Sequence, residues 1–299
     1  MNIKSMKYLC QTSKQTLAKH IYTLLKEKYQ KVDMTSDYII AEGTLPICVL
    51  AHLDTVFPSL PEEIFYDKQQ EVLWSPQGAG FDDRAGIYLI LQLINADFYP
   101  SIIFTDKEEI GGMGARALIK DYPTCPFEDC RALIQLDRAN RSDAVFYDCD
   151  NEDFEKYICG FGFEKVIGLF SDISIIAPVW KIAAVNLSVG YKDEHQYRER
   201  LYCKWTEETF YKLVQILQKS SNMESYQYIP CQKMRRTATD IFNSSKGKCV
   251  ICDSYFTEGR RLYDVDPRDP YEVCENCFRS YYARTDPNTA EIVCYSKKQ

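Results

Sequence analysis

The sequence predicts an α/β fold, a layered domain on a largely parallel core sheet, followed by a small cysteine-paired unit. Two observations predict the first part. Short apolar runs with strand character alternate with amphipathic helical stretches, a pattern that belongs to layered α/β domains. Several of those runs end in an acidic residue or a histidine, and in open α/β sheets ligands gather beyond the carboxyl ends of the strands. The second part rests on two Cys-x-x-Cys pairs near the C-terminus.

Taken in order, residues 13–28 read as an amphipathic helix with Leu17, Ile21, Leu24 and Leu25 on one side. Strand-like segments follow near 37–41 and 46–52, and a second pair near 63–66 and 71–74. Residues 84–97 read as helix, 100–105 as a short apolar strand, and 112–121 as helix. Further strands are expected at 132–136 and 143–147, a short helix at 151–158, a strand at 182–189 and a strong amphipathic helix at 205–219. The alternation stops near Ser220. Polar residues 221–247, with Pro230 and a basic patch at Lys233 to Arg236, read as a linker between a domain over 1–220 and a unit over 248–299.

The composition excludes several classes. With 45 % hydrophobic and 26 % charged residues, the chain has an ordinary globular balance. No stretch approaches the roughly 20 apolar residues of a membrane span, and the polar start has no signal-like segment, so a cytoplasmic protein is expected. A net charge of −7 argues against broad phosphate-backbone binding. Thirteen cysteines in such a chain are expected to be reduced thiols or metal ligands rather than disulfides.

His52 and Asp54 carry the first chemical signal. Val-Leu-Ala-His-Leu-Asp closes an apolar run, and side chains two apart on a strand point the same way. A His-x-Asp pair alone fits a capped strand end as well as a ligand and its orienter. Four more positions follow: Gly80-Phe81-Asp82-Asp83-Arg84 before a helix, Glu108-Glu109-Ile110-Gly111-Gly112 after a strand, Asp137 ending a strand, and His195 after another. Each has an ordinary alternative, Asp82-Asp83 as a helix cap, Glu108-Glu109 as a solvated turn, Asp137 as a loop acid, His195 as a surface histidine. Carboxylates and imidazoles are standard zinc ligands, and their joint placement at successive strand ends favours a shared metal centre.

In this order the motifs resemble the co-catalytic zinc exopeptidases over about residues 15–220. The resemblance implies a three-layer α/β/α sandwich with a mixed, largely parallel central sheet, and two catalytic zinc ions, replaceable by cobalt or manganese. It implies that His52 and Asp137 bind one zinc, Glu109 and His195 the other, and Asp82 bridges them across a commonly cis Asp82–Asp83 peptide. Glu108 is the implied general base, with Asp54 orienting His52. Glu199, four residues after His195, is either a support for that segment or a surface charge. The spacings of 30 residues from His52 to Asp82 and 58 from Asp137 to His195 leave no room for an inserted or lid domain, so a minimal aminopeptidase-like member is expected. The implied activity is hydrolysis of a peptide amide bond. A carboxypeptidase or N-acyl-amino-acid deacylase with the same centre is the alternative, as is a non-catalytic metal scaffold.

Cys249, Cys252, Cys274 and Cys277, in two Cys-x-x-Cys pairs 21 residues apart, match a four-cysteine structural zinc ribbon. A unit of about 50 residues rarely folds on its own core, and a metal staple answers that. From Lys246 onward nine basic residues face nine acidic ones, which gives no nucleic-acid footprint. A structural role, or contact with a protein partner, is expected instead.

Overall fold

In the computed structural model the described residues are 1–168 and 170–231, together with the backbone of five short strands further on. The first of two compact units holds Met1–Val166 and Phe170–Cys231. It begins with α1 (Ile3–Gln11) and α2 (Lys14–Lys28), then β1 (Val32–Met34), β2 (Tyr38–Ala41), β3 (Leu45–His52), β4 (Phe65–Asp67) and β5 (Val72–Trp74). Next come α3 (Phe81–Asn95), β6 (Pro100–Thr105), α4 (Met113–Asp121), β7 (Ala132–Arg138), β8 (Asp143–Val145), α5 (Glu152–Cys159) and β9 (Glu164–Val166). The unit continues through α6 (Asp172–Trp180), β10 (Ala184–Ser188), β11 (Tyr191–Lys192), β12 (Arg200–Tyr202) and α7 (Cys203–Lys219).

Eight strands form the main sheet in the order β1-β2-β6-β3-β7-β10-β8-β9. β6, β3, β7 and β10 are mutually parallel at its centre, while β2–β6 and β10–β8 are antiparallel. The sheet is therefore mixed and largely parallel. Its central strands are buried on both faces, as covered parallel strands must be. Ile47, Val49 and Ala51 of β3 join α1, α2, α3 and α7 in one core, while Cys48 and Leu50 join α4 and α6 in the other. Period-two alternation thus sends successive β3 residues into two helical layers, which makes the three-layer arrangement. A four-stranded antiparallel sheet, β11-β12-β5-β4, lies at one side.

Elements absent from the sequence reading have local reasons. α1 is one short amphipathic run, capped by the Asn2 side chain, which accepts from Ser5 N at 3.1 Å. α6 carries Pro178 near its end, where only a final partial turn follows the lost N–H. β1, β9, β11 and β12 are two or three residues long, too short for periodicity to show. Part of the stretch read as linker packs on the first unit. Met223 enters its core, Tyr226 and Tyr228 pack against it, and β-bridges pair Gln227 with Ile182 and Pro230 with Cys149.

In the second unit β13 (Gly247–Lys248) pairs antiparallel with β14 (Tyr255–Phe256). There β15 (Glu258–Leu262) lies between β16 (Tyr271–Cys274) and β17 (Ala290–Cys294), also antiparallel. Cys249, Cys252 and Cys277 lie outside the described residues, and Cys274 is described only as the backbone end of β16. Among the described residues no helix is long and apolar enough to cross a membrane.

Candidate metal centre

Three central strands deliver their carboxyl ends to one place. His52 ends β3 opposite Thr105, the last residue of β6, and Asp137 lies near the end of β7. His52 is fully buried. Its Nε2 lies 3.0 Å from Asp82 Oδ1 and 3.3 Å from Asp137 Oδ1. The second oxygen of Asp82 faces away, with Oδ2 3.1 Å from His195 Nε2, and that nitrogen is 2.9 Å from Glu109 Oε2. One carboxylate therefore sits between two imidazole–carboxylate groups. His52, Asp82, Asp137, Glu109 and His195 all meet here. His195 is the half-exposed member, its side chain 41 % accessible against 8 % for Asp82 and Glu109, so the centre opens to solvent on its side.

Backbone hydrogen bonds fix the acids. Asp54 Oδ1 accepts from Glu108 N at 3.0 Å and Oδ2 from Glu109 N at 3.2 Å. The same Oδ1 lies 3.3 Å from His52 Nδ1, within ion-pair range but outside hydrogen-bond geometry. Asp54 thus ties the acidic loop to the strand end that carries His52. The Asp82–Asp83 peptide is cis. Glu199 is fully buried beneath it, with Oε1 accepting from Asp82 N at 3.0 Å and Oε2 from Phe81 N at 3.1 Å. Its burial excludes the surface-charge reading, and what it supports is the Phe81–Asp82 backbone rather than the segment of His195. Asp83 accepts from His52 N at 3.1 Å and Gly86 N at 2.9 Å. Its oxygens already serve the backbone, so we assign it to the frame, although it shares a close group with His52 and Asp137.

Several buried residues around the centre escaped the sequence reading. Arg84 donates through Nη1 to Leu53 O at 2.6 Å. Asn186 Oδ1 accepts from Asp137 N, Gln135 Nε2 donates to Asp137 Oδ2, and Tyr191 OH donates to Asp137 O. Thr105 donates to Asp172 Oδ2, while Asp172 Oδ1 has no partner. A signal for Asp172 did exist. Ser171-Asp172 ahead of an apolar run is a helix-start signature.

Burial and neighbouring charge set the proton affinities of the centre. Burial, reinforced by the neighbouring Asp137, holds Glu108 well above the usual carboxylate range. Burial pushes Asp137 up to about 7. Burial also opposes the charged form of Asp82, but contacts from His195 and His52 win and lower it. Both imidazoles respond in kind. Burial disfavours their charged form, yet Asp137 and its neighbours drive His52 well above its ordinary value, and Asp82 and Glu109 carry His195 to about 11. Glu109 Oε1 is also buried without a partner. Nitrogen and oxygen donors converge here in a set that could hold a metal ion. His52, Asp82 and Glu109 place ligand atoms within 4.8 Å of one another.

No family model matches the chain, and no curated protein does. Solved structures do. An aminopeptidase PepT from Bacillus cereus superposes with a TM-score of 0.57 at 14 % identity, covering 73 % of this chain and 98 % of that one. A tripeptidase from Staphylococcus aureus gives 0.57 at 14 %, covering 74 % and 98 %. The TET1 peptidase of Pyrococcus horikoshii gives 0.55 at 13 %, covering 72 % and 98 %. At such identities the chain shares their fold.

Proposed function

We propose that this protein is a dinuclear zinc hydrolase that cleaves peptide amide bonds, an exopeptidase of the aminopeptidase type. The observation that carries the reading is Asp82, whose two oxygens face two separate imidazole–carboxylate groups. His52, Asp137 and Asp82 would hold one ion, and His195, Glu109 and Asp82 the other. Ions held there would polarise the scissile carbonyl and acidify water.

The chain's own groups supply the rest. Glu108 stands beside the ligands on the same loop, and its burial raises its affinity for a proton, so that in its ionised form it is a stronger base to take a proton from water and return it to the leaving amine. Asp54 fixes the Glu108 and Glu109 amides, so base and ligand move as one piece. The shared fold with an aminopeptidase and a tripeptidase supports a peptide substrate. The paired spacing of Cys249, Cys252, Cys274 and Cys277 supports a third, structural zinc in the second unit.

Turnover of aminoacyl anilides and short peptides by the zinc-loaded chain tests the reading. Glu108→Gln is expected to lower kcat by about 10²- to 10⁴-fold with metal content unchanged. Full turnover by that variant removes Glu108 as base, and no hydrolysis of any panel member by the wild type removes the hydrolase reading.

A further inference from the structure

The loop that carries Glu108 and Glu109 leaves large apolar side chains at the surface beside these two largely buried acids. Ile110, next to Glu109, is 65 % exposed, and Met113, the first residue of α4, is 48 % exposed. Phe170, two residues ahead of Asp172, is 42 % exposed. The fold seats Phe170 on this loop. A Cβ built on Gly112 would lie 2.9 Å from Phe170 Cζ and 2.6 Å from Ile175 Cδ1, so the ring rests on bare backbone between Ile110 and Met113. Gly112 also has φ +62°, which favours glycine on its own account.

The shelf is fixed to the metal centre from below. Tyr147 OH donates to Phe170 O at 3.1 Å, Asn186 Nδ2 donates to Tyr147 OH at 3.1 Å, and Asn186 Oδ1 accepts from Asp137 N at 3.0 Å. Phe170 and the ligand Asp137 therefore share one hydrogen-bonded frame. Lys107 on the same loop is turned to Asp37 at 2.7 Å, and Arg116 directs Nε to Gly111 O. Large apolar side chains left exposed around one loop beside a polar centre are a feature of binding surfaces.

We propose that Ile110, Met113 and Phe170, with Ile175 behind them, receive the side chain of the residue whose carbonyl is attacked, and select an apolar one. The inference rests on the hydrolase reading and names its substrate class: peptides with a leucine-, methionine- or phenylalanine-like N-terminal residue. The reach fits, because the shelf belongs to the loop that carries the base and one ligand.

Full-length, zinc-loaded protein is assayed for kcat/KM on leucyl, phenylalanyl, alanyl, lysyl and glutamyl anilides. Leucyl and phenylalanyl substrates are expected to exceed alanyl by about tenfold or more, the scale that apolar pocket contacts provide, with the charged pair below alanyl. Phe170→Ala should reduce the leucyl-to-alanyl ratio about tenfold. Ile110→Lys, at an exposed position that the core does not need, should lower leucyl and raise glutamyl turnover. A flat or charge-preferring profile in an active wild type overturns the inference alone. So does a leucyl-to-alanyl ratio that neither variant moves. Absence of turnover on every substrate overturns the hydrolase reading and this inference with it.

Discussion

Glu199→Gln changes one buried atom group and nearly no volume, which makes it a clean probe of how Asp82 is held. The carboxylate accepts two backbone N–H groups, from Asp82 at 3.0 Å and Phe81 at 3.1 Å. An amide has one oxygen, so one N–H keeps a partner and the other faces an NH₂ donor. The variant loses a hydrogen bond to a carboxylate, about 1.5–3 kcal/mol, and leaves a buried N–H unpaired at about 1–3 kcal/mol. These overlap, so the expected loss is about 2–4 kcal/mol. In a domain of this size each kcal/mol moves Tm by about 2–4 °C, which gives a fall of about 5–15 °C. Metal affinity should weaken by about 10- to 100-fold, as when a residue behind a ligand is lost. Calorimetry in chelator reads the first quantity, and competition with a chromophoric chelator reads the second. A Tm within a degree of wild type together with unchanged affinity would refute the placement of Glu199 as the support of Asp82.

Two further outcomes follow from the same geometry. Gly86→Ala should cost about 3 kcal/mol or more through overpacking, because its Cβ would stand 1.9 Å from Leu136 O and 2.4 Å from Asp83 Oδ1; the denaturant midpoint reads this. Burial raises Asp137 to about 7 and Asp172 to about 6. Folded values above the unfolded ones mean that the fold takes up protons. Their stabilising contribution is full below about pH 4 and is lost as pH rises through 6–7, at up to about 1.4 kcal/mol per unit for each group. The metal-free protein should therefore lose Tm from pH 5 to 8. Zinc should flatten that fall, because metal displaces the protons. A metal-free Tm that rises over this range contradicts the assignment.

Much of the centre was legible because strand ends are legible. Apolar runs ending in His52 and Asp137 announce both the parallel core and its functional edge, and period two places Asp54 on the His52 side. Glu109 and His195 were readable only as members of the set, since neither position alone distinguishes a ligand from a turn. What escaped depends on contacts between residues distant in the chain. Nothing local says that Glu199 lies buried beneath Phe81 and Asp82, more than a hundred residues away. Nor does local sequence say that Asp54 reaches the amides of Glu108 and Glu109. α6 was hidden by Pro178, and residues 223–231 by their polar neighbours, although Met223, Tyr226 and Tyr228 supply the apolar contacts that seat them.

The claim that one carboxylate joins two metal positions is tested most directly by metal content, measured on wild type and Asp82→Asn loaded and desalted in parallel. The amide loses the charge that both groups share, so the variant is expected to hold about two fewer zinc equivalents per chain than wild type. Zinc retained in the second unit cancels in that difference. A variant that keeps both equivalents, or drops only one, contradicts the shared centre.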